Sequence, residues 1–141
     1  MTEMYITLQT ECEFDAAHRL VGYEGNCRSI HGHTWKVVVC VRGFRSQRDS
    51  VGILLDFKDV KNLVRRFDHN IILWNCIENE DLMYVLDSLK MRVFLMSCNP
   101  TAENFAMYFW KELKKMREDL EFNVEVWESK VSYASVGFKN V

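Results

Sequence analysis

Proline is nearly absent from this chain: Pro100 is the only one in 141 residues, and glycine is scarce as well, at six. That composition excludes collagen-like, proline-rich and low-complexity architectures. No apolar run approaches the roughly 20 residues that a membrane span needs. The opening stretch, MTEMYITLQTECEF, lacks the basic-then-apolar layout of a signal peptide, so a cytoplasmic location is expected. Excess charge of one sign is missing too. The formal net charge is -2 with basic residues spread along the chain, which leaves no electrostatic footprint for a nucleic-acid backbone or an anionic membrane and favours a small-molecule substrate. Five cysteines, Cys12, Cys27, Cys40, Cys76 and Cys98, form an odd and irregularly spaced set, arguing against a disulfide framework. One of them is a candidate reactive thiol, and the others read as small buried apolar side chains.

What is present is ordinary globular material: 48% hydrophobic and 27% charged residues, enough for one core in a single domain spanning 1–141. From Met4 to Phe14 the even positions read Met, Ile, Leu, Thr, Cys, Phe against odd Tyr, Thr, Gln, Glu, Glu, the alternation of a half-buried strand. A second strand runs from about His31 to Gly43, rich in valine. The stretch VGYEGNCRS between them is too long for a tight hairpin and reads as a functional loop. Asp56 caps a predicted helix with Phe57, Val60, Leu63, Val64 and Phe67 at three- and four-residue intervals, ending near Asp68. Thr101 caps a longer one to about Glu118, striped by Phe105, Ala106, Phe109, Leu113 and Met116. Strands are predicted at 122–128 and 132–138. Between residues 71 and 99, MRVFLMS reads as a short extra strand and DLMYVLDSL as a turn or two of helix. The order places helices on one face of an antiparallel sheet, an α+β architecture.

Histidine is scarce, and its distribution is uneven. Three of the four, His18, His31 and His33, fall within sixteen residues. On a strand, side chains at i and i+2 share a face about 7 Å apart, so His31 and His33 can converge on one ion with His18 of the neighbouring strand. Three imidazoles without a fourth protein ligand are the pattern of a catalytic zinc site with an open position. The bland reading of HGH is a pair of hydrogen-bonded histidines at a strand start. Spacing alone also permits a closed site in which Cys27 is the fourth ligand.

Six blocks carry a further resemblance: FDAAHRL (Phe14–Leu20), CRSIHGHTWKV (Cys27–Val37), GILLDFKDVK (Gly52–Lys61), FDHNIIL (Phe67–Leu73), NPTAENFA (Asn99–Ala106) and VWES (Val126–Ser129). In this order, over nearly the whole chain, they resemble the family of 6-pyruvoyltetrahydropterin and 6-carboxytetrahydropterin synthases. The resemblance implies a T-fold with a four-stranded antiparallel sheet and two helices on one face. It implies zinc on His18, His31 and His33, with Cys27 as the proton-abstracting base and Asp68 and His69 as a proton relay. Bare sequence would read Asp68 and His69 as a helix end with a favourable cation. By the same resemblance Glu128 anchors the pterin ring, with a strand-end charge in water as its bland alternative, and Thr101 and Glu103 are further pterin contacts or simply a helix cap and its first-turn acid.

The substrate so implied is 7,8-dihydroneopterin triphosphate. Arg19, Arg28 and Lys36 are candidates for its triphosphate, since no glycine-rich phosphate loop is present. The CxxxHGH spacing resembles the queuosine-pathway enzymes that make 6-carboxy-5,6,7,8-tetrahydropterin; a pyruvoyl product is the alternative, and a non-catalytic zinc-binding module or another pterin enzyme on the same fold are rivals. The stretch from His69 to Pro100 is longer than in compact members, and the tail after Glu128 lacks their small-residue turn. The family's sheets join edge to edge into trimers that stack as hexamers, so a homo-oligomer with sites between subunits is expected.

Overall fold

A computed structural model describes residues 3–138. Two 14-residue strands, β1 (Tyr5–His18) and β2 (His31–Phe44), form an antiparallel pair without a register break, from Tyr5 opposite Phe44 to His18 opposite His31. Even residues of β1 and odd residues of β2 therefore share one face. Phe14, Trp35, Val37, Val39 and Val41 on that face are buried, whereas Glu11, Glu13 and Asp15 on the other are exposed. The β1 alternation predicted to Phe14 continues four residues further and carries His18 into the core face.

Helices α1 (Phe57–Val64) and α3 (Ala102–Met116) cover this face. Asp56 caps α1 by accepting from the Lys58 N–H, and the Thr101 hydroxyl caps α3 by accepting from the Asn104 N–H, as their residue types require. Val60, Leu63 and Val64 of α1 and Phe105, Ala106, Phe109 and Leu113 of α3 are buried. Phe57 and Met116, predicted on these stripes, are exposed, because they lie at helix ends beyond the reach of the sheet. A 3-10 turn, 65–67, follows α1 and keeps Phe67 buried.

The expected four-stranded antiparallel sheet is corrected to a six-stranded mixed one, ordered β4-β3-β1-β2-β5-β6. The antiparallel four are β1, β2, β5 (Glu121–Trp127) and β6 (Tyr133–Gly137). The two additions, β3 (Asn70–Trp74) and β4 (Val93–Met96), are parallel to their neighbours. Parallel strands need a crossover, and α2 (Glu80–Ser88) supplies it between β3 and β4. The MRVFLMS strand and the DLMYVLDSL helix are thus present, while β3 escaped prediction: five residues, Asn-Ile-Ile-Leu-Trp, are too few to show a period. β3 pairs with β1 only at Ala16–His18, so its contribution falls beside His18. The described cysteines form no disulfide; all five are half-buried rather than buried as expected, with Cys12 and Cys98 packed against the core.

Candidate metal centre

Strand parity brings His18, His31 and His33 together. His18 faces His31 directly across the pair and His33 lies opposite Ala16, all three on the buried face. The rings of His18 and His33 sit against Trp35, whose indole meets the His18 ring edge-on at 5.0 Å and itself contacts Phe105 at 4.8 Å. This aromatic floor excludes water from below and fixes the rings laterally.

Backbone carbonyls set the protonation of two rings. His18 Nδ1 lies 2.7 Å from the Pro100 carbonyl oxygen, and His31 Nδ1 lies 2.8 Å from that of Ser29. A carbonyl only accepts, so each Nδ1 carries the proton, and it is the Nε2 lone pair that a neutral ring would turn inward. Those two Nε2 atoms stand 3.1 Å apart. His18 is 2% exposed, and burial pushes its pKa below the ordinary histidine value, which favours the neutral ring. Two lone pairs at that distance repel unless a proton or a cation lies between them. Nitrogens about 3.3 Å apart are what a tetrahedral ion with 2.0–2.1 Å bonds imposes. His33 Nε2 supports the same conclusion, being buried without a hydrogen-bond partner. The three imidazoles fit a bound metal ion.

A fourth group joins them. Glu128 Oε1 lies 3.1 Å from His33 Nε2, out of line for a hydrogen bond, and 3.7 Å from His18 Nε2. One ligand atom from each of His18, His31, His33 and Glu128 falls within a 4.8 Å cluster, and Cys27 is not a member. The group that stands beside the three imidazoles is thus the Glu128 carboxylate, and Cys27 lies outside the cluster. Parity explains the position: Phe122, Val124 and Val126 of β5 are buried on the core face, and Glu128 continues their series one step past the strand end. The same alternation is readable in the sequence, where Glu128 follows Phe122, Val124 and Val126 at every second position.

The other candidates are placed more loosely. Cys27 lies in a half-turn, 26–28, that buries none of its residues. Asp68 and His69 pair with each other, His69 Nδ1 donating to Asp68 Oδ2 at 2.9 Å. Asp68 Oδ1 accepts from the Asp15 N–H at 2.8 Å; that bond, helped by His69, holds the Asp68 carboxyl below the usual carboxylate range. His69 adopts a left-handed backbone, φ 57°, and donates its own N–H to the Asp15 carbonyl at 2.7 Å. The dyad thus sits beside Asp15, three residues along β1 from His18, and outside the four-residue cluster. With 70% of its side chain exposed, His69 faces solvent.

Thr101 spends its hydroxyl as the α3 cap, and Glu103 is exposed in the first turn of that helix. Lys36 belongs to the face of β2 opposite the histidines, its Nζ 4.5 Å from the centre of the Trp127 ring. Residues the motif reading passed over prove structural for the site. Pro100 and Ser29 offer carbonyls to the histidine rings. The Asn99 side chain pairs with both the N–H and the carbonyl of Val21, and Asn104 donates to the Asn99 carbonyl. Asparagine repeated five residues apart around a proline and a helix cap is the signal that could have found them.

Known proteins resemble this chain in both sequence and fold. The family model for 6-pyruvoyl tetrahydropterin synthase matches residues 7–138. A Haemophilus influenzae protein named 6-carboxy-5,6,7,8-tetrahydropterin synthase is 29% identical over 134 residues, 89% of this chain and 94% of that one. A Rickettsia typhi protein of the same name is 30% identical over 107 residues, 72% and 75% of the two chains. For the fold, the crystal structure of an uncharacterized protein from Wolinella succinogenes superposes with a TM-score of 0.77 at 19% identity, over 96% of this chain and 99% of that one.

Proposed function

The chain belongs to the 6-pyruvoyl tetrahydropterin synthase family, and we propose that it converts 7,8-dihydroneopterin triphosphate to 6-carboxy-5,6,7,8-tetrahydropterin, releasing acetaldehyde and triphosphate, in queuosine and 7-deazaguanine biosynthesis. It is a lyase of the tetrahydropterin synthase type acting on a pterin. The carboxy product follows the names of the Haemophilus and Rickettsia relatives and the CxxxHGH spacing. The observation that carries the reading is the convergence of three inward-facing imidazole nitrogens with one carboxylate beside them.

In this proposal the ion is zinc, held by His18, His31 and His33, and it supplies polarisation of the substrate's side-chain hydroxyls together with stabilisation of the charge that develops there. Pro100 and Ser29, through their carbonyls, keep two rings in the ligating tautomer. Glu128 accepts from the pterin ring N–H and exocyclic amine, a bidentate task suited to a half-buried carboxylate at the mouth of the cluster. Cys27, as thiolate, takes the proton from the substrate side chain, and Asp68 with His69 passes protons onward. Thr101 and Glu103 contribute pterin contacts from the start of α3.

The placement of the Asp68–His69 dyad supports a homo-oligomer, trimer or hexamer, in which a neighbouring copy meets the exposed His69. Open edges support it too: from Tyr5 to Phe14, β1 pairs only with β2, and β6 ends the sheet among the described residues. Residues 1–141 act in this reading as one tetrahydropterin synthase-like domain in the cytoplasm. No helix among the described residues is long and apolar enough to cross a membrane.

The test is incubation of the purified, zinc-loaded protein with dihydroneopterin triphosphate, followed by identification of the pterin and assay of acetaldehyde. Carboxytetrahydropterin with acetaldehyde in equal amount is expected. A pyruvoylpterin formed without acetaldehyde would assign the family's other product, and no turnover would defeat the reading.

A further inference from the structure

The turn that carries Cys27 leaves Asn26 and Arg28 exposed and Cys27 only half-buried, so core packing contributes little to fixing it. It is held by its carbonyls. Three consecutive ones, of Cys27, Arg28 and Ser29, accept from the Leu20 N–H at 2.9 Å, Arg19 Nε at 3.2 Å and His31 Nδ1 at 2.8 Å. Every donor belongs to a residue within two positions of a proposed zinc ligand or to a ligand itself. Arg19 is the one side chain among them that is not a ligand.

Its guanidinium is itself anchored. Arg19 Nη1 donates to Asn79 Oδ1 at 3.0 Å, and Asn79 is fully buried, with Nδ2 donating to the Trp74 carbonyl at 2.7 Å. A buried amide with both ends paired is a rigid post, and Arg19 spans from it to the Cys27 turn. Trp74 ends β3, so the post stands on the parallel addition to the sheet.

We propose that Arg19, tethered by Asn79, is a positioning residue that sets the Cys27 sulfur relative to the histidine cluster, rather than a triphosphate ligand. The inference rests on Cys27 being the base. Both guanidinium contacts are to neutral acceptors of the chain, and they occupy two of its three nitrogens. A small displacement of a proton-abstracting group lowers the rate of the chemical step while leaving substrate binding intact.

The experiment compares wild type, Arg19→Ala and Cys27→Ala, all zinc-loaded. It measures metal content, kcat and KM separately, and the alkylation rates of Cys27 and Cys98 by peptide mass spectrometry. For Arg19→Ala the expected result is unchanged zinc content, unchanged KM, kcat lower by on the order of 100-fold, and an altered alkylation rate at Cys27 but not at Cys98. Added guanidinium ion should restore part of kcat. Arg19→Lys keeps the charge and the stem but has no second nitrogen to span Arg28 and Asn79, so it gives the same pattern if the alanine variant does not fold. A raised KM with kcat and Cys27 alkylation unaltered would overturn the proposal and assign Arg19 to the triphosphate; no change in any quantity would also overturn it. Should Cys27→Ala turn over like wild type, the base assignment fails separately, and the alkylation rates still report whether Arg19 holds the turn.

Discussion

The two ends of the β1–β2 pair are built from the same strands and solve opposite problems. At the end of Tyr5 and Phe44, polar groups satisfy one another. Arg117 donates to the carbonyls of Leu54 and Gln47 and to both oxygens of Asp119, and Gln47 donates to the Asp119 carbonyl and carboxylate. At the end of His18 and His31, buried nitrogens face each other at 3.1 Å and His33 Nε2 has no partner. The first end is satisfied by its own side chains, whereas the second presents a cluster of ligand atoms that could hold a metal ion. Satisfied and unsatisfied polar groups are thus segregated along one pair of strands, and unsatisfied buried polar groups are the ones that call for a functional explanation.

That contrast is open to direct attack. The largest effect is expected from His33→Ala, which should abolish both zinc retention and turnover while leaving the far end folded; metal analysis with circular dichroism checks it, and full zinc retention would show that the cluster is not the metal site. Chelation of the wild type should lower its melting temperature, since a ligand bound only to the folded state stabilises it. Next comes Cys27→Ala, for which we expect zinc and fold to remain and kcat to fall by about 10²–10⁴, the usual worth of a general base. Loss of zinc in that variant would restore the thiol as a ligand. Glu128→Gln should cost about 10- to 100-fold in kcat/KM, as loss of a hydrogen bond to a charged group implies, with zinc content unchanged; zinc loss instead would make Glu128 a ligand.

The smallest effect belongs to the satisfied end. Hydrogen bonding to Arg117 lowers the Asp119 pKa from 3.8 to about 2. A depressed carboxyl stabilises the fold fully above its unfolded value, and that contribution fades as pH falls from 3.8 through about 2. Asp119 is 48% exposed, so solvent screening limits the loss in Asp119→Asn to less than about 1 kcal/mol at neutral pH. Thermal melts from pH 7 to 2 should show the variant slightly less stable at neutrality and converging with wild type in acid. Zinc affinity should not move; if it does, the two ends are coupled.

The convergence of the three histidines was legible because its signal is local. Parity puts His31 and His33 on one face whatever else the chain does, and the α3 cap and stripe are equally short-range. Asp68 and His69 were legible as a pair through the resemblance, yet their position beside Asp15 depends on β3 joining β1 in parallel, a contact between residues more than fifty apart. Asn79 carried no recognisable pattern, because its meaning lies in Trp74 and Arg19, one near in sequence and one sixty residues away.

By itself, then, the sequence determined the elements whose periods and caps are written in neighbouring residues: the long hairpin, the two capped helices and the face on which three histidines meet. Tertiary structure alone decided the parallel strands, the closeness of Glu128 Oε1 to the rings of His18 and His33, and the carbonyls of Pro100 and Ser29 that meet the rings of His18 and His31. The reason is that side-chain alternation acts over two residues, whereas a hydrogen bond from His18 to Pro100 exists only after the chain between them has folded back.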